Sequence, residues 1–183
     1  MTDAVGLVLG AGSGDRFGGP KALASTPAGE PWIARAVQVL LGGGCDTVVV
    51  VLGAGAEEAA ALVPEGVQVV VAERWRDGMG ASLSAGIEAL PEADTALITL
   101  VDLPGMPVAV VERVLEQGTK RDVLARATYD GAPGHPVLLG RDYWAGFRDS
   151  LRGDAGGRAY LEEHAVVHVE CGDLFSGTDI DRR

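Results

Sequence analysis

Cysteine and histidine are scarce, cations are outnumbered, and no long apolar run breaks the chain. Two cysteines in 183 residues, Cys45 and Cys171, stand far apart without a CxxC. They read as small buried hydrophobes in a reducing compartment, which excludes a disulfide framework and a dithiol redox centre. Of the three histidines, His164 and His168 flank Ala165-Val166-Val167, a strand-like run. Four residues of strand separate them by about 13 Å, too far for one zinc ion. Lys plus Arg number 15 against 26 Asp plus Glu, a net charge of −11, and the cations occur singly or in pairs such as Lys120-Arg121. Without a basic stripe, no nucleic acid is expected as a partner. An anionic ligand then requires a site that is locally basic or assisted by a metal. The clearest apolar runs, Val48 to Leu52 and Ala96 to Val101, fall far short of the ~20 residues that cross a bilayer. Met1-Thr2-Asp3 opens without a basic segment or an apolar stretch, so we expect a cytoplasmic protein with no membrane partner.

What the chain has in abundance is glycine, 27 residues, roughly twice average usage. Its length supports one sizeable core, burying about 70% of the unfolded surface, and we expect a single domain over residues 1–183. Ala4 to Leu9 is a short apolar run that stops in Gly10-Ala11-Gly12-Ser13-Gly14-Asp15, as a buried strand feeding a loop would. Trp32, Ile33, Ala36, Val37, Leu40 and Leu41 recur at helical spacing between Pro31 and Gly42-Gly43-Gly44, which predicts a first crossover helix. Thr47 to Leu52, Val67 to Ala72 and Thr95 to Val101 are further strands, with helices expected over 56–62, 81–90 and 107–117. Continuous rather than alternating hydrophobicity marks strands covered on both faces. The expected fold is therefore a three-layer α/β/α sandwich with a mostly parallel, Rossmann-like sheet.

Beyond residue 117 the pattern changes. Val123 to Thr128 and Pro136 to Leu139 flank Tyr129-Asp130-Gly131-Ala132-Pro133-Gly134, a hairpin signal that we read as a small β insertion. Helices near 141–147 and 155–164, a last strand over 165–170 and a polar tail with Asp179-Ile180-Asp181 complete the chain. Ligands of open α/β sheets bind beyond the carboxyl ends of the strands. Gly10 to Lys21 and Asp102 to Pro107 sit there.

Residues Leu9 to Lys21 place five glycines and two cations in thirteen positions, combining close backbone approach, exposed N–H donors and positive charge. A phosphate chain suits such a loop. The dinucleotide pattern GxGxxG fails because Asp15 stands where the third glycine belongs. The P-loop pattern fails because Pro20 precedes Lys21 and Ala22 replaces Ser or Thr.

Leu9-Gly10-Ala11-Gly12-Ser13-Gly14-Asp15-Arg16-Phe17-Gly18-Gly19-Pro20-Lys21 resembles the signature loop of the MobA-like nucleotidyltransferases, usually LAxGxSxRMGxxK. Asp77-Gly78-Met79-Gly80-Ala81-Ser82-Leu83, Val101 to Pro107, Gly134 to Leu139, Gly153-Asp154-Ala155-Gly156-Gly157-Arg158 and Asp179-Ile180-Asp181 match in the same order. The GMGASL and GHPVLL segments resemble the molybdenum cofactor cytidylyltransferase branch. Gly10 departs from the family's usual Ala. The resemblance implies transfer of CMP from CTP to the phosphate of a molybdopterin-type cofactor, with release of pyrophosphate. It also implies Mg²⁺ as cofactor and a molybdoenzyme or its chaperone as a further partner.

In that reaction the triphosphate and the acceptor phosphate bring roughly six negative charges together, and each pair at 4 Å repels by about 4 kcal/mol at an effective dielectric of 20. Cations must compensate them. Arg16 and Lys21 are expected to hold the β- and γ-phosphates and Asp102 to hold the metal, which makes these three the catalytic set. By resemblance Asp179 is the second metal ligand and Asp181 its substitute. Leu9, Gly10, Ala11, Gly12, Ser13 and Gly14, with Arg16 and Lys21, are expected to bind the nucleotide, and Gly80 and Ser82 to receive base and ribose. His135 and Asp154, with Tyr129 beside them, are expected to line the acceptor site. Cytidylyl enzymes of this kind read Leu-Ala-Ala-Gly at the loop start and guanylyl enzymes Leu-Ala-Gly-Gly. Ala11 stands at the discriminating place, and its methyl favours CTP over GTP. The acceptor phosphate is already ionised near neutral pH, so no catalytic histidine is required. Three alternatives stand beside this reading. They are another CTP- or GTP-using transferase with a different phosphorylated acceptor, an NAD(P)H-dependent enzyme like nicotine blue oxidoreductase, and a non-catalytic carrier of nucleotide or cofactor.

Overall fold

A computed structural model describes residues 2–181. Strands β1 (Thr2–Gly10), β2 (Thr47–Leu52), β3 (Gln68–Val71), β4 (Ala93–Leu100), β5 (Leu124–Tyr129), β6 (Ala132–Gly140) and β7 (Val167–Glu170) form one sheet in the order β3-β2-β1-β4-β6-β5-β7. Helices α1 (Trp32–Gly42), α2 (Ala56–Ala60), α3 (Met79–Glu88), α4 (Val108–Leu115), α5 (Arg141–Ser150) and α6 (Arg158–Glu162) cover its two faces. The alternation of side chains along a strand sorts the core. On β1, Val5, Leu7 and Leu9 point to a cluster with Leu83 and Ile87 of α3, Phe147 of α5 and Leu161 of α6. Val8 points the other way, into a cluster with Ile33, Val37 and Leu40 of α1 and Val110, Val111 and Val114 of α4. No helix among the described residues is long and apolar enough to cross a membrane.

The first strands pair in parallel, β1 lying between β2 and β4, as the unbroken apolar runs predict. The strand order reverses at β1, where the chain has worked outward through β2 and β3 before β4 returns to the other side. That reversal opens a crevice at the carboxyl ends of β1 and β4, the position at which α/β sheets bind ligands. The predicted hairpin enters this same sheet, with β6 antiparallel to both β4 and β5 and β7 parallel to β5. Its turn is made by Asp130 and Gly131, both at positive φ (51° and 78°), the backbone pattern that suits Asp-Gly between twisted strands.

Glu170, at the end of β7, clamps that turn. Its carboxylate accepts hydrogen bonds from the Thr128 hydroxyl (2.9 Å) and from the N–H groups of Asp130 (2.9 Å), Gly131 (3.1 Å) and Gly172 (2.8 Å). The Gly172 N–H, then the Thr128 hydroxyl and the Gly131 N–H, pull its pKa down to about 2. A carboxylate with a depressed folded pKa stabilises the protein above its unfolded pKa, and that contribution fades as pH falls through the folded value. Thermal melts across pH are therefore expected to show Glu170→Gln below wild type at pH 7, the two midpoints converging as pH falls from about 4.5 to about 2. A constant offset across that range would contradict the clamp.

Candidate active site

A cavity of about 520 Å³ opens at the crevice, lined by the loop after β1, by Met79 and Ser82 of α3, and by Asp102, Asp154, Asp179 and Asp181. The loop holds its shape through Gly14. The Gly14 carbonyl accepts the N–H groups of Phe17, Gly18 and Gly19, and its φ of 65° turns the chain back on itself. A Cβ there would lie 1.9 Å from the Gly19 carbonyl oxygen, so only glycine fits. Among the described residues, the N–H groups of Gly12 to Arg16 have no protein acceptor, and they are left as donors at the cavity wall. Leu9, Gly10, Ala11, Gly12, Ser13, Gly14, Arg16 and Lys21 all line it, as the sequence predicts.

At the floor three distant segments meet. Lys21, in a one-turn 3-10 helix after Pro20, donates to Asp102 Oδ2 at 2.7 Å and to Asp181 Oδ1 at 2.8 Å. Arg16 approaches the other Asp181 oxygen at 3.5 Å, with its side chain largely in solvent. Asp102 follows β4 directly, and its backbone carbonyl accepts the Ile180 N–H at 3.1 Å. That one hydrogen bond docks the tail on the loop and brings both Asp179 and Asp181 to the cavity. Asp181, the substitute in the sequence reading, is thus the tail carboxylate that Lys21 grips. The Arg35 guanidinium, reaching from α1, donates to the Pro104 carbonyl and fixes the loop after Asp102 from behind.

The charges are unequal in their surroundings. Burial raises the Asp102 pKa, and the Lys21 hydrogen bond and charge offset only part of that rise; the nearby Asp179 charge adds to it. Burial lowers the Lys21 pKa, but the hydrogen bonds and charges of Asp102 and Asp181 outweigh it and leave the ammonium firmly protonated. The Asp181 pKa is depressed, chiefly by the Lys21 hydrogen bond.

The residues fit a hard divalent cation. One ligand oxygen from each of Asp102, Asp179 and Asp181 lies within 4.8 Å of the others. The second Asp102 oxygen, Oδ1, is buried without any hydrogen-bond partner. All-oxygen ligation of this kind suits Mg²⁺ or Mn²⁺.

Other predicted residues fall elsewhere. Ser82 lines the cavity, buried, but Gly80 does not. Gly78 and Gly80 let the start of α3 sit against Gly153-Asp154: a Cβ on Gly80 would lie 3.0 Å from the Gly153 carbonyl oxygen. Gly80 therefore positions the Asp154 loop and offers no bare surface for a base. Asp154 reaches the cavity, whereas His135 lines a neighbouring narrow slot of about 110 Å³. Tyr129 donates its hydroxyl to the His135 carbonyl and packs into the core against Phe175, away from the slot. Arg126, beside His135 in the slot, carries no signal in its local sequence that separates it from an ordinary strand-edge cation.

Comparison with known proteins agrees with this geometry. A sequence model of the MobA-like NTP transferase domain matches residues 6–169. Nicotine blue oxidoreductase of Paenarthrobacter nicotinovorans is 34% identical over 187 residues, covering 96% of this chain and 91% of that one. The crystal structure of Rv0371c from Mycobacterium tuberculosis H37Rv superposes with a TM-score of 0.84 at 25% identity, covering 99% of this chain and 94% of that one. A structure of Rv0371c in complex with manganese matches with a TM-score of 0.78 at 25% identity, over 93% of this chain and 88% of that one. The molybdopterin-guanine dinucleotide biosynthesis protein A of Archaeoglobus fulgidus, at 17% identity, 97% and 92% coverage and a TM-score of 0.73, shares the fold.

Because the Lys21 ammonium occupies the same carboxylates that a cation needs, it competes for them. Lys21→Met is expected to bind Mn²⁺ roughly tenfold more tightly than wild type in the absence of nucleotide, as measured by electron paramagnetic resonance titration. Weaker binding in the variant would show that Lys21 helps to build the ion site.

Proposed function

The chain belongs to the MobA-like NTP transferase family, and from that premise we propose that it transfers CMP from CTP to the phosphate of a molybdopterin-type acceptor, with release of pyrophosphate. All of residues 1–183 act as one transferase domain in this reading. The observation that carries it is the meeting of the glycine loop, Lys21 and the carboxylates of Asp102, Asp179 and Asp181 at one cavity wall.

Each part has work that follows from its chemistry. The unpartnered N–H groups of Gly12 to Arg16 bind phosphate oxygens as fixed dipoles. Arg16, mostly in solvent, is free to turn onto the β- and γ-phosphates. Lys21 has its carboxylate partners on one side and the phosphate chain on the other, so it neutralises charge on both. Asp102 and the tail carboxylates would hold Mg²⁺, which when bound supplies Lewis-acid stabilisation of the transferring phosphoryl group. The acceptor phosphate needs no proton removed. His135, whose pKa burial and then the Arg126 charge lower to about 4, is in any case only a weak base. The buried Ala11 methyl narrows the cavity wall and supports CTP as the nucleotide. A molybdoenzyme or its chaperone is the natural recipient of the product.

A second reading rests on the 34% identity to nicotine blue oxidoreductase; in it this chain would be an NAD(P)H-dependent reductase of a dye. The two separate in one experiment, in which pyrophosphate release is followed with each of the four NTPs with and without molybdopterin, alongside NADH and NADPH oxidation with a dye acceptor. CTP- and molybdopterin-dependent pyrophosphate release supports the transfer; dye-dependent NAD(P)H oxidation without any pyrophosphate overturns it. Arg16→Ala and Lys21→Ala are each expected to lower turnover by about 10²-fold or more while remaining folded. Ala11→Gly is expected to narrow the preference for CTP over GTP in the same assay, and an unchanged ratio would remove the methyl from the account of base choice.

A further inference from the structure

Arg126 is a half-buried cation without an ion-pair partner among the described residues, at the mouth of a cavity. It sits on β5, two residues from Leu124, which packs into the core on the face covered by α3, α5 and α6. Its Nε is buried with no hydrogen-bond partner, and the guanidinium makes only one long contact, Nη2 to the Gly134 carbonyl at 3.4 Å. No carboxylate lies within ion-pair distance among the described residues. Glu162, on the wall of the same cavity, is already taken by Arg158 at 2.7 Å. Burial, then the Arg158 charge, lowers the Arg126 pKa, which reports an environment unfavourable to the cation as it stands. A half-buried guanidinium whose Nε–H lacks an acceptor carries a desolvation cost that a bound anion would offset.

The surroundings show where that partner would lie. Arg126, Arg158, His164 and His168 line an outer cavity of about 480 Å³ between β5 and α6. Arg126 and Arg158 also line the narrow slot with His135, its remaining walls being mostly apolar, Leu83 and Phe147 among them. Leu9, Met79 and Leu100 are shared in turn between the slot and the nucleotide cavity. The three spaces thus adjoin one another, and Arg126 and Arg158 line the two that do not include Lys21.

We propose that Arg126 anchors a second oxyanion site, in which its guanidinium, with Arg158 beside it, binds a phosphate or carboxylate group. Guanidinium geometry suits two parallel hydrogen bonds to such a group, and the low polarity of the slot strengthens them.

The test fills the first cavity and then probes the second. With a non-hydrolysable CTP analogue and Mg²⁺ at saturation, inorganic phosphate and acetate are titrated separately while the ¹⁵N resonance of Arg126 Nε is followed. A saturable shift with phosphate, acetate or both supports the site and identifies the class of anion; no shift with either overturns it. Arg126→Gln is expected to weaken that binding at least tenfold. Arg126→Met supplies a readout that a purely structural role would reverse. Without added anion its thermal midpoint should equal or exceed that of wild type, and phosphate should raise the wild-type midpoint only. A lower anion-free midpoint in Arg126→Met, or an equal rise in both proteins, overturns the proposal. If the CTP analogue fails to bind, the transferase reading falls. The same phosphate titration in Lys21→Met, where the first cavity has lost its main cation, still decides the Arg126 site by itself.

Discussion

The bridge from Lys21 to Asp102 and Asp181 is the interaction on which the site depends. It joins segments 81 and 160 residues apart in sequence, and it does so in a chain with a net charge of −11. Three carboxylates at one cavity wall would repel each other and any incoming anion. With the ammonium among them, the cluster is partly neutralised and Asp102 can remain mostly buried. The same arrangement sets up a competition, because a metal ion bound by these carboxylates would contend with the lysine for their oxygens. The sheet serves this bridge, since the reversal of strand order at β1 puts the ends of β1 and β4 next to each other.

Much of this was legible in the sequence, for identifiable reasons. Apolar runs that do not alternate require cover on both faces, so Ala4 to Leu9, Thr47 to Leu52 and Thr95 to Val101 gave a parallel sheet directly. The loop after β1 was readable because glycine density and two cations coincide with a strand end. The hairpin was visible in Asp130-Gly131, but its membership of the main sheet was not, because pairing between β6 and β4 leaves no local trace. That Asp179 and Asp181 both reach the cavity was equally hidden. It goes with a hydrogen bond from the Ile180 N–H to the Asp102 carbonyl, a contact no spacing rule encodes. Gly80 shows the opposite failure. A small residue near a ligand loop suggests room for a base, whereas the space is filled by the Gly153 backbone. Arg126 escaped notice because an isolated arginine in a strand carries no pattern, and only its missing partner makes it informative.

A protein that shares this fold is named for molybdopterin-guanine dinucleotide biosynthesis, and a relative of this chain is named for an oxidoreductase activity. A shared fold does not choose between them, since chemistry resides in the side chains that the fold positions. Here the side chains favour charge compensation. Fixed N–H donors, two cations and three carboxylates surround one cavity, and the neighbouring imidazole of His135 is held neutral. Such an arrangement stabilises phosphate groups more readily than it tunes a hydride donor.

The docking of Ile180 on the Asp102 loop has a consequence for biogenesis. During synthesis the sheet through β6 and the glycine loop emerge long before residues 179–181, so the nascent domain passes through a stage in which Lys21 and Asp102 face each other without the tail. Completion of the carboxylate set then waits on residues 179–181 and on the Ile180 hydrogen bond to the Asp102 carbonyl. A molecule at that stage has most of its sheet assembled and only Asp102 of the three carboxylates in place.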